Sequence, residues 1–367
     1  MGVAVAAPAH ADPVVSAPPI GRGALIAHED CPGALGLVGE VRGLGVLGAS
    51  RAAALPEYGT IKGDRPELGL ARVGLLGVHA CQPLAFVVRA DLGELARLET
   101  DQWRDRPLAA GDRVLDDAFI WWRPAIWFGL LGGRQKVPFS RFRQVDEALL
   151  TTGVEPFVID RVTPQRRWGL TAAGDLGAVG WAAGAYADTA RLELRGDDPM
   201  TPFVEDPSLG GRAMVAAHLE WTPRAPIGRD HQPTPHSDPW WHTVRVSAGA
   251  GVLWRARAGG DRVDLSLSGQ AKYERLAAIT ELILSSDGGD LTVDAAAEAG
   301  LLVTDRVLLF ARADTDVALE QKAGGGGMAW FVTPDRRNKV TFYGWARRRH
   351  AGDPRGDGAV AELQAAF

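Results

Sequence analysis

The sequence predicts an all-β fold, a transmembrane antiparallel barrel of about 16 strands, and three observations carry that prediction. The first is period-two alternation over lengths that would cross a bilayer. In 262–274, "RVDLSLSGQAKYE", Val263, Leu265, Leu267, Gly269, Ala271 and Tyr273 share one face, and Arg262, Asp264, Ser266, Ser268, Gln270, Lys272 and Glu274 share the other. A helix cannot divide the residues that way. The second is that short and long connections alternate. The third is that, although 46% of the residues are apolar, no stretch approaches the uninterrupted run of about 20 that a membrane helix needs.

The elements follow in chain order. "MGVAVAAPAHADP" holds a short apolar run and the small-x-small site Ala9-His10-Ala11, so 1–11 reads as the remnant of a secretory signal and 12–33 as a periplasmic segment ahead of a barrel domain over 34–367. Strands are expected near 34–48, 67–79 and 83–93; in the last, Leu84, Phe86, Val88, Ala90 and Leu92 oppose Arg89 and Asp91. The most apolar segment, "AFIWWRPAIWFGLLGG" (118–133), is broken by Arg123 and Pro124, which predicts two strands, 116–123 and 125–136, joined by a turn. Strands at 165–174 and 176–187 flank "AGDLG". In 211–222, Ala213, Val215, Ala217, Leu219 and Trp221 face away from Arg212, His218 and Glu220. The strand at 242–257 carries Arg245, Arg255 and Arg257 on its polar face, and strands near 261–272, 273–285, 291–303, 305–316, 326–334, 338–348 and 358–367 complete the count. "AGGGG" (323–327) lacks the Lys-Ser/Thr of a phosphate-binding loop and is expected to be a flexible outer loop.

"HACQP", "RPA", "AGDLG", "VTDRV" and "TPDRRN" are tight connections on the side shared by both chain ends, while 94–115, 137–164 and 188–210 are long and lie opposite. The connection 223–241, "PRAPIGRDHQPTPHSDPWW", breaks this asymmetry by being long on the tight side. Alternation alone suits a soluble sandwich as well as a membrane barrel. The exported N-terminus, an expected interfacial girdle of Trp221, Trp240, Trp241, Trp254, Tyr273 and Trp345, and a chain that ends on Phe367 favour the barrel, placed in a bacterial outer membrane. A secreted or surface β-rich binding or adhesion protein is the alternative.

A net charge of −5 argues against a nucleic-acid partner. Five lysines leave 35 of the 40 basic residues as arginine, the planar fork that suits phosphate and carboxylate; codon composition is the competing source of that bias. Cys31 precedes the first strand and Cys81 follows the second, so both fall at the same rim of adjacent strands, and a disulfide is expected between them. Asp230, His231, His236, Asp238 and His242 could ligate a metal, but their Pro-rich spacing fits no zinc signature, so no metal and no cofactor are expected. No Gly-x-Ser-x-Gly is present, and an outer-membrane barrel enzyme is the weaker alternative.

Residues 127–170, "WFGLLGGRQKVPFSRFRQVDEALLTTGVEPFVIDRVTPQRRWGL", resemble the phosphate-selective porin O and P family through Gly133, Gln135, Lys136, Pro138, Phe139, Arg161, Arg167 and Gly169, and "GAVGWAAGAYAD" (177–188) continues the pattern. The resemblance implies a sixteen-stranded, trimeric barrel for passive diffusion of small solutes, anions such as phosphate among them, whose third outer loop narrows the pore. It also implies that the barrel assembly machinery recognises Phe367. The strand count independently puts 137–164 at that third loop. Selecting anions calls for cations at the constriction, and 134–167 holds seven basic residues against four acidic ones. The candidate constriction residues are therefore Arg134, Lys136, Arg141, Arg143, Arg161, Arg167, Arg245, Arg255 and Arg257; pairing with carboxylates of neighbouring strands is the competing role. Arg347, Arg348 and Arg349 either meet lipopolysaccharide phosphates or form a solvated rim.

Overall fold

The computed structural model describes residues 33–49, 67–79, 84–91, 115–145, 156–164, 166–187, 213–223, 227, 232–234, 236–256, 260–287, 290–316, 321–334, 336, 338–348 and 356–366. Sixteen antiparallel strands follow one another around a closed barrel. They are β1 (Gly33–Ala49), β2 (Glu67–His79), β3 (Leu84–Asp91), β4 (Leu115–Ala125), β5 (Phe128–Lys136), β6 (Arg166–Leu176), β7 (Val179–Tyr186) and β8 (Met214–Trp221). The second half holds β9 (Arg245–Arg255), β10 (Arg262–Tyr273), β11 (Leu276–Asp287), β12 (Asp290–Thr304), β13 (Val307–Asp316), β14 (Gln321–Phe331), β15 (Lys339–Arg348) and β16 (Gly356–Ala366). Closure is by β1 on β16, with Glu40 opposite Ala366, so neither strand is left as an unpaired edge.

The alternation read from the sequence sorts the side chains as expected. On β10, Val263, Leu265 and Leu267 are exposed on the outside, while Asp264, Ser266, Gln270 and Lys272 are buried inside. Val215, Leu219 and Trp221 on β8 and Leu301, Leu309 and Phe342 farther round continue the outer apolar surface, and His218 and Glu220 point inward. Apolar outside and polar inside is the arrangement of a barrel whose solvent is lipid, the reverse of a soluble sandwich. Trp127, Trp221, Tyr273 and Trp330 are exposed near one end of the barrel, where a girdle would lie. Two residues expected in the girdle sit elsewhere: Trp241 is buried, and Trp345 turns inward to pack on Tyr343 at 5.9 Å between ring centroids.

The two-residue turns 126–127, 177–178, 274–275 and 305–306 all lie at the end where β1 starts and β16 finishes. Gly177 (φ 65°) and Glu274 (φ 47°) take the left-handed conformation that such hairpins require. The long connection between Trp221 and Arg245 falls at this same end, so the odd length expected there is real and the strand count stands. One expectation fails. The glycine run 323–327 is the middle of β14 rather than an outer loop, paired with β13 and β15 throughout. Glycine has no side chain to show alternation, and close packing supplies the reason for it: a Cβ on Gly327 would lie 2.7 Å from Tyr343 Cβ, and one on Gly325 would lie 3.1 Å from Trp345 Cβ. Residues 1–32, which include the expected signal remnant and Cys31, together with Cys81, Asp230, His231, Arg257, Arg349 and Phe367, lie outside the described residues.

Candidate functional site

The third outer connection leaves β5 at Lys136 and rejoins the wall at Arg166 on β6. In its described parts it holds two short helices, α1 (Arg141–Gln144) and α2 (Phe157–Val162). Ser140 caps α1 by accepting from the Arg143 amide, and the Thr163 amide closes α2 on the Ile159 carbonyl. Every residue from Val137 to Val145 is buried. That cannot happen on an outer rim; the connection is folded into the lumen.

It lies against the inner wall of the strands that follow it. Val137, Phe139, Phe142, Val158, Ile159 and Val162 join Tyr186, Met214, Ala216, Leu253, Ile279, Ile283 and Ala296 in one apolar cluster spanning β7 to β12. Polar contacts fix the position within that cluster. Glu281 on β11 accepts from Ser140 Oγ at 2.9 Å, from the Arg141 amide at 3.2 Å and from the Phe142 amide at 3.0 Å, while Ser266 of β10 donates to it from the wall. Arg141 pairs with Glu220 at 3.2 Å and donates to Gln270 at 2.6 Å. The His218 ring donates from Nδ1 to the Phe139 carbonyl, 3.1 Å away. Gly251 makes room, since a Cβ there would stand 2.2 Å from that same carbonyl oxygen. From the outer end, Arg255 donates to the Val162 carbonyl at 2.5 Å and faces Asp264 at 3.5 Å.

The expected constriction residues separate into groups on this frame. Lys136, Arg141, Arg143 and Arg255 lie in or against the folded loop, with Lys136 donating to the Val145 carbonyl at 2.6 Å and Arg143 to Thr163 Oγ1 at 3.1 Å, while Arg167 on β6 donates to the neighbouring Arg166 carbonyl at 3.1 Å. Arg134 is buried in β5. Arg161 falls in α2, and its side chain is not described. Arg245 is at the opposite end of the barrel, bonded to Thr234 and paired with Asp238 at 3.4 Å.

Three cations absent from the sequence-derived set stand on β2, β3 and β6, outside the strands of that apolar cluster. Asp117 of β4 takes Arg89 of β3 on one oxygen at 2.5 Å and Arg166 of β6 on the other at 2.6 Å. Arg72 follows on the same lumen-facing row of β2, one step beyond the Gly74–Arg89 pair. Among the described side chains this region therefore sets Arg72, Arg89, Lys136, Arg166 and Arg167 against Asp117. Arg89 stood out in sequence as a polar interruption of an apolar strand and faces Asp117 across the ladder of consecutive strands, but alternation does not reveal that Arg166, two strands on from Asp117, reaches the same carboxylate. Below them, Arg123 binds Asp175 at 2.8 Å. On the facing side, Glu220, Asp264, Glu281, Asp294, Glu298, Asp314 and Asp316 are buried on inward rows of β8 and β10 to β13.

No protein-family description matches the chain, and no curated protein sequence matches it either. Solved structures do share its fold. The OprB structure from Pseudomonas putida superposes with a TM-score of 0.56 at 10% identity, covering 91% of this chain and 94% of that one. The Salmonella typhi OmpF complex with daunomycin gives 0.55 at 10% identity over 91% and 98%. An anion-selective porin from Comamonas acidovorans gives 0.52 at 13% identity over 91% and 100%. What is common at such identities is the barrel.

Proposed function

We propose that this chain is a channel of the bacterial outer membrane for passive diffusion of small solutes, with a preference for anions, phosphate among them. The observation that carries the reading is where the third loop lies. It covers the β7 to β12 wall and uses the acids there, Glu220 and Glu281, as its own anchors. The passage that remains runs past β2 to β6, where Arg72, Arg89, Lys136, Arg166 and Arg167 outnumber Asp117. Cations fixed in the wall of a narrow pore compensate part of an anion's lost hydration and repel cations. The anion-selective porin from Comamonas acidovorans, which shares the fold, supports the same reading. The trimer, the contact of Arg347, Arg348 and Arg349 with lipopolysaccharide, and recognition of Phe367 by assembly machinery belong to this proposal through the sequence resemblance.

The test is single-channel recording of the refolded protein in a planar bilayer under a KCl gradient. A discrete conductance whose reversal potential lies on the anion side, reduced by added phosphate, is expected. Replacing Arg89 and Arg166 together by glutamine should move the reversal potential toward the cation side. A wild-type channel that already prefers cations would refute the anion reading and leave the pore.

A further inference from the structure

The connection between β8 and β9 joins adjacent strands and could have closed at the rim as a hairpin. Part of it instead runs inward: Ile227, Gln232, Thr234 and Trp241 are 4%, 2%, 3% and 7% exposed, while His236, Ser237, Pro239 and Trp240 stay exposed. Pro233 reaches β12, where a Cβ built on the lumen-facing Gly300 would lie 3.5 Å from the Pro233 ring and 3.0 Å from Leu308. Arg336, in the turn between β14 and β15, donates to the Pro233 carbonyl and lays its guanidinium over Phe331 at 5.2 Å. From β9 to that turn is five to six strands around a ring of sixteen, and Pro233 together with the Arg336 side chain bridges that arc of the mouth.

The wall it lands on fits a covered surface better than an open one. Leu302, Leu308, Phe310, Ala329, Phe331 and Tyr343 form an apolar cluster on inward rows of β12 to β15, separate from the one that the third loop covers. Apolar side chains facing a water-filled channel would forfeit burial, and Pro233 with the Arg336 stem supplies the cover. The near end is tied as well: Arg245 bonds Thr234 and pairs with Asp238, and the Glu274 amide donates to the Trp241 carbonyl at 3.2 Å.

We propose that the inward residues of this connection, Ile227 and 232–234, form a second restriction, a strap at the periplasmic mouth that limits solute size independently of the third outer loop, with Arg336 and Arg245 as its positioning residues. The inference rests on the channel reading. Full-length protein in which 228–236 is replaced by Gly-Ser-Gly is compared with wild type for KCl conductance and for liposome swelling in glucose, maltose and maltotriose. A conductance at least twofold higher together with passage of a sugar one unit larger is expected, and Arg336→Gln should give a smaller shift in the same direction. Heat-modifiable gel mobility reports folding; if the shortened chain does not fold, Arg336→Gln decides alone. A conducting wild type with unchanged variants overturns the strap and leaves the channel. A silent wild type with a conducting variant upholds the strap and overturns passive diffusion through the intact chain. Silence in both overturns both.

Discussion

Replacing Glu281 by glutamine should loosen the third loop without unfolding the barrel. The wild-type carboxylate receives three hydrogen bonds from the loop, from Ser140 Oγ and from the Arg141 and Phe142 amides. Glutamine keeps one acceptor oxygen and sets an NH2 group against the remaining donors. Ser140 and Phe142 bond one oxygen and Arg141 the other, so glutamine loses one charged hydrogen bond of about 1.5–3 kcal/mol and reduces the other two to neutral ones of about 0.5–1.5 kcal/mol, which weakens the anchor by roughly 3–6 kcal/mol. Opposing this, Phe139, Phe142, Val158 and Ile159 stay buried in the apolar cluster, and each contributes about 1.5–3 kcal/mol, or on the order of 6–12 kcal/mol together. The loop therefore remains docked most of the time but opens more often. At about 1.4 kcal/mol per tenfold, exchange of the Arg141 and Phe142 amides should accelerate by roughly 10²–10⁴. Amide hydrogen exchange of the refolded protein, read by fragment mass spectrometry over 137–145, measures this, and open-channel current noise should rise in parallel. Glu281→Asp, which keeps the charge but withdraws it by one methylene, should fall between. Unchanged protection at both amides in Glu281→Gln would show that the apolar cluster alone positions the loop.

Other perturbations test separate contacts. Gly251→Ala places a methyl where the Phe139 carbonyl stands and should cost about 1–3 kcal/mol of loop docking, visible as faster exchange at the same amides with the melting temperature little changed. Arg141→Ala removes the cation paired with the buried Glu220 and should destabilise by about 3–5 kcal/mol, read as a lower temperature for the heat-induced gel shift. At the rim, the hydrogen bond from His242 holds the Glu274 carboxyl below its ordinary titration range, so whatever stability this contact provides is present above the unfolded carboxylate's pKa and is lost as pH falls through the lower folded value. His242→Ala should raise the Glu274 titration midpoint, measured by carboxyl NMR. Cys31 and Cys81, if joined, should leave no alkylatable thiol before reduction and two after it.

Face was legible in the sequence, and height and partnership were not. Alternation placed Arg245 and Arg255 on one lumen-facing row correctly, because side-chain direction in a strand is a local property with a period of two. The two residues are nonetheless the first and last of β9, and ten steps of about 3.3 Å separate them by about 33 Å along the strand. One consequently holds the third loop while the other holds the segment at the far mouth. Ladders of consecutive strands were equally legible, since each forms between neighbours in the chain. The contacts that position the loop join residues far apart: Ser140 to Glu281 across 141 positions, Arg141 to Gln270 across 129, and His218 to Phe139 across 79. No local pattern records such a meeting. Glu281 looks in sequence like any polar residue on an inward row, and only closure of the barrel brings it opposite the loop's donors. The same closure makes sense of the excess of arginine. Arg141 and Arg255 are absorbed by Glu220 and Asp264 and serve the loop's position, whereas Arg89 and Arg166 share one carboxylate between them and leave net positive charge on the β3 to β6 wall. Any preference for anions should therefore respond to Arg89 and Arg166 through ion selectivity, and to Arg141 and Arg255 mainly through the stability of the loop.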